Sequence, residues 1–360
     1  MKIVFTNKIY LPHIGGVEFY IHEIAQHLLA EGNEVVVITA DTDIKELKEE
    51  EIDGEKIIRI PSKRVGGLYF LRNYGDYRTI KREIKNADVV HCNDCKFLYI
   101  YLAHYKNKFK YKLAITSHGW MFHTQDHSKL KKIYFRYVIS RLSKNYSPII
   151  NVSEQDKKIA ESYGIKDSIV IMSGVDYKKF GDIAPKSVLG HTFVYWGRVS
   201  DNKGILECLK KLSGLPYDYQ FNIAGACEDD AYMGILKEFI INHQMQSKVN
   251  FLGRVSDNQI HDLIEDSDYI LMPSLHEGFG LSLIEGLVSN RPIIANTNES
   301  YCYLLKETEC ESYLFDYSDP NAMLADKIEE LKTKHLQPKN YEQFSIENMI
   351  NKTETAIREA

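Results

Sequence analysis

Gly174-Val175-Asp176-Tyr177-Lys178-Lys179-Phe180-Gly181-Asp182-Ile183-Ala184-Pro185 is a polar stretch with glycines and a proline, and it separates two series of short apolar runs. Before it stand Ile3-Val4-Phe5, Val35-Val36-Val37-Ile38, Val89-Val90, Leu113-Ala114-Ile115-Thr116, Ile149-Ile150-Asn151-Val152 and Ile169-Val170-Ile171. After it the pattern restarts with Thr192-Phe193-Val194-Tyr195-Trp196, Phe221-Asn222-Ile223-Ala224, Val249-Asn250-Phe251-Leu252, Tyr269-Ile270-Leu271-Met272 and Ile293-Ile294-Ala295. Strands of a parallel sheet are covered on both faces, so they read as continuous apolar runs, and the amphipathic segments between them are helical crossovers. The expectation is an α/β chain of two Rossmann-like, doubly wound domains, residues 1–180 and 181–344 with the stretch as linker, and a closing helix at 345–360 packing back on the first. A length of 360 residues, about twice the commonest domain size, agrees. Two such domains imply a central cleft faced by the C-terminal ends of both sheets, which puts the chemistry in strand-to-helix loops.

Apolar residues at 44% and charged residues at 26% exclude a disordered or fibrous chain. There is no run of about 18 apolar residues, and Lys2-Ile3-Val4-Phe5-Thr6 enters a strand directly, so neither a membrane span nor a signal peptide is expected. Six scattered cysteines suit a reducing cytoplasm. Cys92 and Cys95 have metal-like spacing but no second pair to complete a zinc site, so no metal is expected there. The net charge of -5 is uneven: residues 1–180 hold 29 Lys and Arg against 22 Asp and Glu (+7), and the remainder 16 against 28 (-12). A basic half suits anionic lipid or a phosphorylated ligand. Within it Lys129 to Leu142 is cationic, aromatic and helical in period, and with Lys106, Lys108, Lys110 and Lys112 it could dock on an anionic bilayer, although most amphipathic helices simply face a core. The chain is thus expected in the cytoplasm, peripheral on the inner face of the membrane. The acidic total and the lack of a recognised motif argue against nucleic acid as a partner.

Five loops that follow strands carry candidate chemistry. Pro12-His13-Ile14-Gly15-Gly16-Val17-Glu18 opens a helix, whose N-terminal N–H groups and glycines allow a phosphate or sugar to approach, although a plain turn reads the same way. In Gly197-Arg198-Val199-Ser200-Asp201-Asn202-Lys203-Gly204, two cations five residues apart can converge on a diphosphate and stabilise the charge that grows when it leaves; an ordinary solvated loop is the alternative. Pro273-Ser274-Leu275-His276-Glu277-Gly278-Phe279-Gly280 leads into a helix from Leu281 to Ser289, so Glu277 and Glu285 lie on nearby faces, one for a sugar and one for ribose hydroxyls. Thr116-Ser117-His118-Gly119-Trp120-Met121-Phe122-His123-Thr124 combines His118 and His123 with aromatics suited to stacking on a sugar or packing a lipid-linked acceptor. Asn93 and Asp94 follow another strand and would reach the mouth of the cleft.

The Glu277-x7-Glu285 segment, the Gly197–Gly204 loop, the Gly15-Gly16 loop, Thr116-Ser117-His118-Gly119 and Gly174-Val175-Asp176-x3-Phe180, in order from about residue 3 to 320, resemble the retaining glycosyltransferases of family 4. The resemblance implies the GT-B fold, two Rossmann-like domains around a central cleft, with the acceptor on the first and the nucleotide-sugar donor on the second. It implies that Arg198 and Lys203 bind the donor diphosphate, Glu285 the ribose and Glu277 the donor sugar hydroxyls, within a donor segment that includes Gly278, Phe279, Gly280 and Leu281. His118 would lie beside the transferred sugar, and Gly15-Gly16 would face diphosphate and acceptor; catalysis would rest on His118, Glu277, Arg198 and Lys203, while Asn93, Asp94, Trp120 and His123 would meet the acceptor. No cofactor and no divalent metal are implied, which fits the absence of an Asp-x-Asp motif in a suitable loop. The implied reaction moves a hexose from a nucleoside diphosphate sugar to a glycan or polyprenyl-linked acceptor in bacterial surface polysaccharide synthesis, by front-face attack in which the departing phosphate oxygen takes the acceptor proton. The loop around His118 is similar to one in bacterial exopolysaccharide mannosyltransferases, which favours GDP-mannose, with a UDP-sugar next. A GT-B-type nucleotide-sugar epimerase and a non-catalytic sugar- or lipid-binding module are the rival readings. The chain departs from the family at Ala295-Asn296-Thr297-Asn298-Glu299-Ser300, where glycines are missing, and Glu299 is given no definite role.

Overall fold

The computed structural model describes residues 1–13, 15–120, 128–334, 339 and 341–359. The chain forms two compact units, Met1–Gly174 with Ile346–Ala360, and Val175–Ser345. By packing, the division falls at the start of the Gly174–Pro185 stretch. That stretch is no loose tether either: Phe180 and Ile183 are buried, and the Phe180 ring lies 6.0 Å from Trp196, so two apolar residues within a polar run anchor it to the second unit.

In the first unit the strands are β1 (Lys2–Asn7), β2 (Glu34–Asp41), β3 (Lys48–Ile52), β4 (Glu55–Val65), β5 (Leu68–Leu71), β6 (Val89–Cys92), β7 (Lys112–Thr116), β8 (Ile149–Asn151) and β9 (Ile169–Val170). Their order is β3-β4-β2-β1-β6-β7-β8-β9, with β5 paired to β4. The six apolar runs read from the sequence fall in β1, β2, β6, β7, β8 and β9, and all of these pair in parallel. β3 and β5 run antiparallel to β4. They escape a search for apolar runs because Lys48-Glu49-Glu50-Glu51-Ile52 is an edge strand that faces water and ion-pairs, with Arg59 of β4 donating to Glu50 at 2.6 Å. β1 lies between β2 and β6, so the strand order reverses there, and the loops after β1 and β6 flank the crevice that such a reversal opens.

The terminal helix Ile346–Glu359 belongs to the first unit, where Met349, Ile350 and Ile357 join Ile21, Ile24 and Leu28 of the helix Gly16–Ala30 in one core. Each such buried side chain contributes roughly 1.5–3 kcal/mol. The basic segment forms helices Ser128–Tyr134 and Ser140–Leu142 joined by a π-helical turn, Phe135–Ile139. Phe135 and Ile139 face the core, while Leu130, Ile133 and Tyr137 are more than half exposed. Among the described residues no helix is long and apolar enough to cross a membrane.

In the second unit β10 (Thr192–Trp196), β11 (Gln220–Ala224), β12 (Val249–Gly253), β13 (Tyr269–Met272) and β14 (Ile293–Ala295) form a parallel sheet in the order β12-β11-β10-β13-β14. Here the order reverses between β10 and β13, and the two loops that follow these strands carry Arg198, Lys203 and Glu277.

Candidate functional site

The loops of the second unit are packed backbone on backbone. After β10 the chain passes Gly197 at φ +140°, and a Cβ on Gly225, after β11, would lie 1.7 Å from the Gly197 carbonyl oxygen. Gly204, at φ +65°, opens the helix Ile205–Leu212, and a Cβ there would lie 2.2 Å from the Pro273 carbonyl oxygen. Leu275 N–H donates to the Asn202 carbonyl at 2.9 Å. The loops after β10 and β13 therefore form one rigid surface.

On that surface Lys203 and Glu277, given separate tasks above, meet directly. The Lys203 ammonium is 2.6 Å from Glu277 Oε1, and the Tyr301 hydroxyl donates to the same oxygen at 3.2 Å. Burial, with the Glu277 charge beside it, holds the Tyr301 phenol well above its usual pKa, so it stays a donor. Its ring lies over Gly280, where a Cβ would be 2.7 Å from Tyr301 Cε1. The segment that lacks the family's glycines sets this up: Asn298 caps the helix Glu299–Glu307 and accepts from Tyr301 N–H at 2.9 Å, while Asn296 and Asn298 donate to the Ser274 carbonyl at 3.1 and 2.8 Å. Glu285, on the helix Leu281–Leu287, receives the Trp196 indole N–H at 3.0 Å on Oε2 and the Lys179 ammonium at 3.6 Å from Oε1. Arg198 is exposed and has no carboxylate partner among the described residues. Tyr301, Trp196, Lys179 and Gly225 were all missed in the sequence: Trp196 read as a strand end, Lys179 as linker, and Gly225 and Tyr301 lay outside every motif.

In the first unit Gly15 precedes the helix Gly16–Ala30 in extended conformation, and the Glu18 side chain folds back over it, so that a Cβ on Gly15 would lie 2.4 Å from Glu18 Oε2. Glu18 is buried, accepts from Asn7 at 3.3 Å and lies 3.7 Å from His13 Nδ1. Glu18 thus shares the turn that the resemblance assigns to diphosphate and acceptor, and its oxygens can accept from hydroxyls there. His118 stands at φ +40° in a run of left-handed residues with Gly119 and Trp120, a costly conformation stabilised by Asp156, which accepts from Ser117 Oγ and Gly119 N–H at 2.9 and 2.7 Å. The His118 ring meets Tyr20 edge-on at 4.7 Å, and its Nε2 is 3.3 Å from Asn93 Oδ1.

Two acceptor assignments need correction. Trp120 is 3% exposed, packs on Phe135 and donates its indole N–H to Asn151, so it is a core residue with no face left for a sugar. Asp94 is likewise occupied, accepting from the backbone N–H groups of Lys8, Lys96 and Phe97 at 3.0, 2.7 and 2.9 Å, which gives it a loop-shaping part. His123 lies outside the described residues. Burial pushes the neighbouring Cys95 thiol up to about 12 and the His91 imidazole down to about 3, so both stay neutral. Metal-like clusters lie elsewhere: His27, Glu31 and Glu354, where Arg358 already bridges both carboxylates, and His261, Asp262 and Glu265 on an exposed helix face.

Residues 14–179 match the family model described as Glycosyltransferase Family 4, and residues 182–348 the one described as Glycosyl transferases group 1. The chain is 31% identical over 297 residues to a GDP-mannose:cellobiosyl-diphosphopolyprenol alpha-mannosyltransferase from Xanthomonas campestris, covering 80% of this chain and 76% of that one. It belongs to glycosyltransferase family 4. This glycosyltransferase is also 26% identical over 178 residues to the O-antigen chain mannosyltransferase RfbU of Salmonella typhimurium, 47% of each chain. Its fold matches Anabaena Alr3699/HepE, solved in complex with UDP, at a TM-score of 0.78 and 16% identity over all of both chains, which establishes the GT-B fold for the glycosyltransferase.

Proposed function

We propose that the enzyme transfers mannose from GDP-mannose, with retention of configuration and without a metal, to a glycan carried on a polyprenyl diphosphate. The observation that carries the donor half is the set of Arg198, Lys203 and Glu277 on the interlocked loops after β10 and β13, with Glu285 on the helix Leu281–Leu287 that follows. Arg198 offers an uncompensated charge to the diphosphate, and Lys203, shared with Glu277, can follow the phosphate charge as it grows. Glu277, fixed by Lys203 and Tyr301, keeps lone pairs for donor sugar hydroxyls, and Glu285, fixed by Trp196 and Lys179, does the same for the ribose. The departing phosphate oxygen takes the acceptor proton in this reading, so no side chain serves as nucleophile. GDP-mannose and the lipid-linked acceptor are supported by the Xanthomonas relative, whose name states both. Peripheral attachment to the inner face of an anionic membrane is supported by exposed Leu130, Ile133 and Tyr137 lying among Lys129, Lys132 and Arg136 on the segment after Ser128.

Thermal unfolding with GDP-mannose, GDP, UDP-glucose and UDP tests the donor, since a ligand of the native state raises Tm by mass action. GDP and its conjugate should stabilise the wild type and not the Arg198→Ala, Lys203→Ala double variant. Stabilisation by the UDP compounds instead, equal transfer by the double variant, or release of an epimerised sugar without acceptor would overturn the proposal.

A further inference from the structure

Beside β5 the first unit carries a groove of about 810 Å³, within the usual range for a small-molecule site. It is floored by Leu68, Leu71 and Leu98 and walled by tyrosines from the helices Tyr77–Lys85 and Tyr99–Phe109, with Tyr134 of the basic segment also lining it. The rings form a continuous ladder, Tyr74 to Tyr77 to Tyr101 to Tyr105 to Phe109, with centroid steps of 5.4, 4.9, 4.6 and 5.3 Å. Part of this apolar wall faces water: Tyr74 is 88%, Ile100 51% and Phe70 50% exposed. An exposed apolar concavity of this kind marks a binding surface.

The polar groups of the lining narrow the occupant. Among the described residues it contains no carboxylate, no amide side chain and no aliphatic hydroxyl; apart from phenols and one thiol, its functional groups are Arg78, Lys81, Lys96 and His104. Sugar sites take hydroxyl protons on carboxylate and amide oxygens, and among its described lining this groove offers only phenol oxygens beside hydrocarbon and cations. It matches an apolar chain that ends in an anion. Lys96 marks the anion's end, because it stands on the loop after β6, the same loop that carries Asn93 beside His118. Its ammonium is half-buried and has no carboxylate within ion-pair distance among the described residues. Burial and then the Lys8 charge hold its pKa below the usual lysine value against the opposing pull of Asp94, a carboxylate that has Lys8 at 3.7 Å and accepts from three backbone amides.

We propose that this groove holds the polyprenyl chain of the acceptor, with Lys96 binding its diphosphate. The proposal deepens the lipid-linked acceptor reading above and rests on it. The orientation follows: the chain leaves past Tyr101 and Tyr74 toward the membrane, and the diphosphate at Lys96 delivers the attached glycan toward the loops after β1 and β6.

Titration calorimetry on the full chain with farnesyl diphosphate, farnesol and inorganic pyrophosphate as probes tests it. Farnesyl diphosphate should bind the wild type at least about tenfold more tightly than either farnesol or pyrophosphate, because it alone offers both the chain and the charge. Lys96→Met, which keeps the stem and removes the charge, should weaken farnesyl diphosphate about tenfold or more. Tyr74→Ala should weaken it several-fold and leave pyrophosphate unchanged, and at so exposed a position it should keep the wild-type Tm to within about 2 °C. No binding by the wild type, equal binding by both variants, or pyrophosphate or farnesol matching farnesyl diphosphate would each overturn the proposal. GDP-mannose stabilisation of the same preparations separates the two readings: its loss with farnesyl diphosphate binding intact counts against the donor assignment alone.

Discussion

Lys203 and Glu277 form an ion pair at 2.6 Å, with Tyr301 donating to the same carboxylate oxygen, so the cation assigned to the diphosphate and the acid assigned to the sugar act as one unit. Both side chains are mostly buried, and removing either leaves the other's charge uncompensated. Lys203→Met and Glu277→Gln should each lower kcat/KM for transfer by about 10²-fold or more, and the double variant should lose far less than the product of the two, with a coupling of about 1–3 kcal/mol. Steady-state kinetics of the four proteins measure this. Additive losses would show that the pair forms only in the unliganded enzyme.

Glu285 presents a different case, because its orientation depends on an indole N–H at 3.0 Å. Trp196→Phe keeps a ring in the core and removes that donor. If Glu285 binds the ribose in ground state and transition state alike, KM for the donor should rise by about tenfold with kcat within about twofold, since uniform binding energy is what is lost. An equal fall in kcat would instead place Glu285 in transition-state stabilisation.

What the sequence made legible, and what it hid, divides along physical lines. Arg198, Lys203 and Glu277 could be found because each lies in a loop that follows an apolar parallel strand and contains glycine, before Arg198 and Lys203 and after Glu277, a pattern local in the chain. Tyr301, 24 residues from Glu277, and Trp196, 89 from Glu285, act through contacts that exist only after β10, β13 and the helices that follow them have packed. Trp120 misled for the opposite reason: an aromatic in a loop beside His118 looks available, and only packing shows its ring against Phe135 and its N–H spent on Asn151. The same limit applies to β3, whose Glu-rich sequence satisfies an edge strand through ion pairs instead of apolar contacts.

Gly225 lies in no motif, yet a single methyl there meets the Gly197 carbonyl oxygen at 1.7 Å, and at φ +154° the backbone suits glycine. The obstacle is main chain and cannot rotate aside. Gly225→Ala should therefore destabilise the protein by about 2–4 kcal/mol or push the Arg198 loop out of place with loss of donor binding. Gly234→Ala is the control: it lies in the helix Asp230–Asn242 with nothing within 4 Å of the added Cβ, and should be neutral or stabilising by up to about 1 kcal/mol. Thermal unfolding and donor titration of both variants check this, and a Gly225→Ala protein with native Tm and affinity would contradict the packing described.

Glu83 ties the first unit together away from any ligand. It is buried, with Lys2 at 2.7 Å from Oε2, and Lys56 at 3.1 Å and Arg82 at 2.9 Å from Oε1. Burial alone would push the carboxyl up, but hydrogen bonds from Lys2, Lys56 and Arg82 override it and hold the pKa down to about 2, against an ordinary 4.5. A folded-state pKa below the unfolded value means that folding favours the deprotonated form, so the stabilisation is complete above pH 4.5 and is lost as pH falls toward 2. Glu83→Gln should accordingly be less stable than the wild type at pH 7 by about 1–3 kcal/mol, discounted for the exposure of Arg82. The gap should close between pH 4.5 and about 2, since the variant has no proton to gain there while the wild type does. Urea unfolding of both proteins across that window reads the difference directly, and a gap that stays constant through it would show that the three cations do not set the ionisation of Glu83.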